Sequence, residues 1–245
     1  RIFILKSDGG IFMEKVKKTF FTAKNIATMG VLMALVVVLQ VFAGSINIAN
    51  LVTLNFSLIP IVLGAIVLGP VAGAILGFAN GIVILIQVIL TPSGFYYIIW
   101  TYSPLVTTLI CLVKTTVAGF AGGMVFRVIS KKNTLAATFV ASALVPIINT
   151  SLFVLGCLCM SDTILTYQNT LPQSQGMNIF IFICVGLVTF NFFIELALNL
   201  IVSPALNSVY RVVEKQFIHN KKRAVKAENG TEKDDAERTD HDNLS

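Results

Sequence analysis

Long apolar runs separated by short polar interruptions set the pattern of this chain. They extend from about Ile26 to Ala43, Phe56 to Leu68, Val71 to Leu90, Pro104 to Val128, Leu135 to Cys159 and Asn178 to Leu206. A helix crossing the hydrocarbon core of a bilayer needs roughly 20 apolar residues. The second run is short by that measure, so it is expected either to begin earlier, near Leu51, or to be partly re-entrant. The pattern predicts an all-α integral membrane protein, a six-transmembrane-helix bundle spanning 25–212. A basic segment, 1–24, precedes the bundle. A charged segment, 213–245, follows it, too poor in apolar residues to pack and expected to be disordered.

Gly69-Pro70 and Ser130-Lys131-Lys132-Asn133 make tight connections between spans. Three longer connections remain: Gly44 to Asn55, Thr91 to Ser103, and Met160 to Met177. The second of these is rich in aromatic residues, with Phe95, Tyr96, Tyr97, Trp100 and Tyr102.

Charge orients the bundle. Of 18 Lys and Arg residues, six precede the first span, Arg127, Lys131 and Lys132 flank the fourth connection, and eight follow the last span. The three longer connections hold none. Cytoplasmic segments of membrane proteins are enriched in Lys and Arg, so both termini are placed in the cytoplasm. Only 12% of the 245 residues are charged, against about a quarter in soluble domains. The net charge of +6 suits tails facing an anionic leaflet, and no nucleic-acid motif accompanies it. The first residue is Arg, whereas Met13 opens the more ordinary start Met-Glu-Lys-Val-Lys-Lys. Residues 1–12 are therefore expected to be leader sequence or otherwise not native, which an intact mass of natively expressed protein checks.

Catalytic patterns are missing. There is no His-Glu-x-x-His zinc motif and no phosphate-binding loop, and His219 and His241 both follow the last span. Cys111, Cys157, Cys159 and Cys184 lie in apolar stretches and read as small core residues rather than a metal site or disulfides. No enzyme activity, cofactor or metal is expected.

Against this background Lys114 stands out, the one basic residue in the middle of an apolar span, and Glu195 is its acidic counterpart in the last span. Ionisable groups within a bilayer are costly and mark functional or paired positions. Lys114 lies about 10 residues from the outer end of its span, or ~15 Å, and Glu195 about 16 residues, or ~24 Å. Three readings stay open: a structural ion pair, Lys114 neutralising an anionic substrate group, or separate local roles. Asn191 and Asn199 flank Glu195 at i−4 and i+4, giving one polar face that must point into protein or a wet cavity. Glu195, Asn191 and Asn199 are assigned as structural polar residues.

Further polar groups cluster toward the outer half: Gln40, Asn80, Gln87, Asn149, Thr150 and Ser151. With Tyr96, Tyr97, Trp100 and Tyr102 they have the composition of a small-molecule pocket; an interfacial aromatic belt is the alternative for the rings. The substrate-binding candidates are Lys114, Asn149, Asn80, Gln87, Tyr97, Trp100 and Gln40. Gln40 and Gln87 are the weaker ones, because span ends tolerate polar residues.

Gly69, Gly73, Gly77 and Gly81 recur every fourth residue, and Ala118, Gly119, Ala121, Gly122 and Gly123 crowd the next span. Such rows let helices approach closely in lipid, and packing within the bundle suits both. Ala27, Gly30 and Ala34 form a similar row on the first span, where packing inside the bundle and docking on a partner are equally compatible with the spacing.

The stretches Phe56-Ser57-Leu58-Ile59-Pro60-Ile61-Val62-Leu63-Gly64-Ala65 and Leu68-Gly69-Pro70-Val71-Ala72-Gly73-Ala74-Ile75-Leu76-Gly77 resemble the second and third helices of the substrate-binding S components of energy-coupling factor (ECF) transporters. Cys111-Leu112-Val113-Lys114-Thr115-Thr116-Val117-Ala118-Gly119 and Pro146-Ile147-Ile148-Asn149-Thr150-Ser151-Leu152-Phe153 resemble later segments of those subunits. The resemblance covers about Lys24 to Arg211. It implies capture of a vitamin or related micronutrient at the outer face of a bacterial plasma membrane, with the three outer connections forming pocket and lid. It also implies partners: a membrane coupling (T) subunit and two cytoplasmic ATPases, which energise toppling of the S component. The family docks its first helix through Ala-x-x-x-Ala; Gly30-x-x-x-Ala34 is the nearest match here, with Gly in place of the first Ala. The rival expectation is a self-sufficient secondary transporter that uses Lys114 and Glu195 for ion or proton coupling.

Overall fold

A helix satisfies its backbone hydrogen bonds internally, which is the condition for crossing lipid, and helices make up nearly all of the described residues. The computed structural model describes residues 5–7, 10–12, 23–44, 47–48, 52–53, 56–91, 94–171, 174 and 176–242. Much of the expected amino-terminal segment, including 13–22, lies outside the described residues, as does part of the first outer connection. The spans are α1 (Ala23–Gly44), α2 (Leu58–Val67), α3 (Pro70–Leu90), α5 (Pro104–Ile129), α6 (Thr134–Leu158) and a last one built of α8 (Ile179–Ile181), a π-helical segment (Phe182–Val188) and α9 (Thr189–Asp242). Two ribbons, β1 (Leu5–Ser7) with β2 (Gly10–Phe12) and β3 (Asn47–Ile48) with β4 (Val52–Thr53), are antiparallel and too short to alter the all-α class.

Five of the spans are long and apolar enough to cross a membrane, and α2 is a shorter apolar helix of 10 residues. It begins at Leu58, not near Leu51, where β4 lies instead. Length matters less here because α2 is wrapped by protein: it packs on α1, α3, α5, α6 and α9, and buries Leu58, Ile61, Val62 and Ala65.

Local chemistry sets the ends of the spans. Pro70 and Pro104 occupy first turns, where their missing N–H costs nothing. Gly69, at φ 106°, adopts the left-handed backbone that lets α2 turn directly into α3. Asn133 caps α6, its side-chain oxygen accepting from the N–H groups of Leu135 and Ala136 at 2.9 and 3.2 Å. Asn178 caps α8 in the same way, accepting from Phe180 at 2.9 Å.

The glycine row of α3 packs inside the bundle. A side chain at Gly73 would strike the carbonyl of Gly119, at Gly77 that of Thr115, and at Gly81 that of Cys111, so α3 and α5 touch backbone to backbone. The close approach is locked by Thr115, whose hydroxyl donates to the Gly77 carbonyl at 2.6 Å. In contrast, nothing lies within 4 Å of where a Gly30 side chain would stand, and Ala27, Gly30 and Ala34 are exposed on α1.

Two outer connections contain helices of their own, α4 (Gly94–Tyr102) and α7 (Ser161–Thr170). Phe95 of α4 meets Tyr167 of α7 with ring centroids 5.5 Å apart, over Phe153, Met160, Ile164, Phe182 and Ile183. This apolar cluster caps the outer end. A second one, including Leu32, Val36, Ile61, Leu76, Phe126 and Leu206, fills the inner half. Beyond the last span α9 continues as helix through Asp242, where composition predicts a disordered tail. Ala, Glu, Lys and Arg are strong helix formers, and extending an existing helix avoids the cost of nucleation.

Candidate functional site

Between the two apolar clusters the bundle holds a layer of buried polar groups. Lys114 on α5 is its centre, only 5% exposed. Its ammonium donates to the Tyr96 hydroxyl of α4 at 2.7 Å and lies 5.1 Å from the ring centroids of both Tyr96 and Phe153. Hydrogen bonding and the electron-rich ring faces together offset part of the desolvation of the charge. Burial pushes the Tyr96 phenol up from its ordinary value, so at neutral pH it accepts from Lys114 as a neutral hydroxyl.

Glu195 lies opposite on α9, 2% exposed. Its Oε1 accepts from the Asn191 amide at 3.0 Å, and Asn149 of α6 directs its own amide toward the same carboxylate. Oε2 has no hydrogen-bond partner among the described residues. Lys114 and Glu195 attract each other electrostatically, yet the direct hydrogen bond of Lys114 goes to Tyr96. Lys114 thus spends its hydrogen bond on α4, while its interaction with Glu195 is one of charge.

Two backbone irregularities shape this layer. The π-helical turn over Phe182–Val188 sits immediately before Asn191, and the Thr189 hydroxyl donates to the Cys184 carbonyl five residues back at 2.6 Å. Such insertions rotate the residues that follow and recur at functional sites. Pro146 lies inside α6, one turn before Asn149, and its missing N–H leaves the Ser142 carbonyl without its helical donor. Below the layer, Asn199, Ser203 and Asn207 continue the fourfold spacing of Asn191 and Glu195 down α9. Each is buried and retains an unpartnered side-chain oxygen. The Asn199 amide donates to the Glu195 carbonyl of its own helix at 2.8 Å.

The other sequence-derived candidates divide. Asn80 of α3 is fully buried with both amide atoms unpartnered, on the stretch where Gly77 and Gly81 press α3 against Thr115 and Cys111, on either side of Lys114. Trp100 packs on Ile84, Val88 and Cys111, and Tyr97 is half-buried on α4. Gln40 and Gln87 are engaged with each other: Gln40 Nε2 donates to Gln87 Oε1 at 3.0 Å, and the Ser57 hydroxyl donates to Gln40 Oε1 at 3.0 Å. They clasp α1, the start of α2 and α3. Tyr96 and Phe153, the direct neighbours of the ammonium, were not singled out by sequence; Tyr96 was one aromatic among several in its connection.

Five helices long and apolar enough to cross a membrane, around a buried polar layer that holds Lys114 and Glu195, mark a multi-pass membrane protein. Residues 24–207 match the family model of the ECF transporter, substrate-specific component. The chain belongs to that family. None of the curated proteins matches it. As an ECF substrate-specific component it is a multi-pass subunit of a transporter. Among the described residues no group of His, Cys, Asp and Glu is arranged to hold a metal ion.

Proposed function

We propose that this ECF substrate-specific component captures a vitamin or related micronutrient at the outer face of a bacterial plasma membrane. Partner subunits, a membrane coupling subunit and two cytoplasmic ATPases, then drive uptake. The observation that carries this reading is the Lys114–Tyr96 pair facing Glu195 and Asn149 beneath the aromatic cap of α4 and α7. Buried charge with hydrogen-bonding capacity to spare is expensive, and a bound ligand that completes it recovers that cost. Asn80 and Asn149 line the layer; Tyr97 and Trp100 belong to its aromatic cover, and Gln40 and Gln87 hold the helices that frame it.

The outward row of Ala27, Gly30 and Ala34 supports docking on the coupling subunit, because no other part of the described chain covers it. A rival reading, secondary transport coupled to ions or protons, draws on the electrostatic coupling of Lys114 and Glu195. Co-purification and liposome uptake separate the two. Stable association with ATPases and a coupling subunit, with uptake that requires ATP, is the expected result. Gradient-driven uptake by this chain alone would overturn it.

A further inference from the structure

The deep wall of the polar layer presents hydrogen-bond acceptors. Asn191 donates its amide to Glu195 Oε1, and Asn149 directs its amide toward the same carboxylate. A carboxylate only accepts, so both amides must turn their NH2 groups to it and their oxygens away. Asn149 Oδ1, Asn191 Oδ1 and Glu195 Oε2 are then three acceptors, each buried and without a partner among the described residues. Asn80 adds one donor and one acceptor, both unpartnered. On the other side, Lys114 spends one donor on Tyr96 and lies close to two ring faces, with further N–H capacity remaining.

Charge points the same way. One ammonium and one carboxylate nearly cancel within the layer, so an anionic ligand would bring an uncompensated charge to mid-membrane and set it against Glu195. We propose that the ligand is uncharged or zwitterionic and inserts an N–H-bearing end, such as an amine, an amino-substituted heterocycle or a lactam, against Glu195, Asn149 and Asn191. Its acceptor or carboxylate end faces Lys114. This rests on the capture reading above and narrows it to a substrate class.

The test uses the full chain purified in nanodiscs from cells grown in rich medium. Small molecules released on denaturation are identified by mass spectrometry, for wild type and for Glu195→Gln. The glutamine keeps the shape of the side chain but replaces an acceptor oxygen with a donor NH2. The expected result is an N–H-bearing, uncharged or zwitterionic molecule on the wild type, lost from a Glu195→Gln protein that still elutes as a folded monodisperse species. Glu195→Asp serves as the second variant should Gln fail to fold, with reduced but detectable retention expected. A retained anion without N–H donors, or equal retention by folded Glu195→Gln, would overturn the assignment and leave the capture reading standing. A wild type that retains no molecule, and takes none up from a nutrient mixture, would instead sink the capture reading itself.

Discussion

Lys114 and Tyr96, eighteen residues apart and on different helices, meet at 2.7 Å in the middle of the polar layer. The contact joins a membrane-spanning helix to the outer cap, so the state of the ammonium and the position of α4 are linked. Tyr96→Phe keeps the ring face and removes the acceptor. A hydrogen bond to a charged group contributes about 1.5–3 kcal/mol, and a loss of that size in a reversible unfolding measurement is expected. An unchanged thermal midpoint would show that the hydroxyl does not hold the ammonium.

Lys114→Met leaves Glu195 buried without its countercharge, and Glu195→Gln does the reverse. Each single variant is expected to lose about 3–5 kcal/mol, as for other buried charges stripped of a partner. The double variant should lose less than the two combined, with a coupling energy of about 0.5–3 kcal/mol. Strict additivity in the cycle would mean that the two charges do not sense each other.

Gly77 and Gly30 make opposite predictions for the same substitution. At Gly77 an added methyl meets the Thr115 carbonyl, a backbone atom that cannot swing aside, and overpacking of about 1–3 kcal/mol is expected from Gly77→Ala. At Gly30 nothing stands within 4 Å, and Gly30→Ala should be neutral or stabilise helix α1 by up to ~1 kcal/mol. Melting curves of both variants in the same nanodisc check the pair.

A bulky side chain on the outward face of α1 tests docking. Gly30→Leu or Ala34→Leu is expected to abolish or weaken co-purification with the coupling subunit while ligand retention stays at the wild-type level. Wild-type assembly by both variants would remove this face from the proposed interface.

Gln40→Leu breaks the clasp with Gln87 and Ser57, leaving buried polar groups unpaired at about 1–3 kcal/mol. The expected outcome is a lower melting temperature with ligand affinity preserved. Loss of affinity with unchanged stability would make Gln40 a ligand contact instead.

What was legible in the sequence follows from the bilayer. Lipid offers backbone groups no hydrogen bonds, so each crossing must be a helix of apolar residues, and hydropathy marks where the spans lie. The distribution of Lys and Arg orients them. The fourfold glycine row was equally visible, because spacing along one helix defines a face. Which face meets which neighbour was not: the glycines of α3 close on α5, while Gly30 of a similar row on α1 has nothing within 4 Å of where a side chain would stand, and Ala27 and Ala34 are exposed beside it. The same spacing serves both, and only packing distinguishes them. That Gln40 and Gln87 hydrogen-bond each other was equally hidden until α1 and α3 packed together.

The charged segment after the last span illustrates the opposite limit, since its composition argued against packing but said little about helix propagation from α9. The π-helical turn was invisible as well: Phe-Ile-Cys-Val-Gly-Leu-Val is as apolar as the helix around it, and the insertion is a matter of hydrogen-bond register. By itself, then, the sequence marked the six apolar spans and the presence of Lys114 and Glu195 within two of them, because those follow from transfer of residues between water and lipid. The tertiary structure alone decided that Lys114 bonds Tyr96, that Gln40 bonds Gln87, and that buried acceptors are left without partners among the described residues. Those contacts join distant parts of the chain, and only the packing of helices selects them.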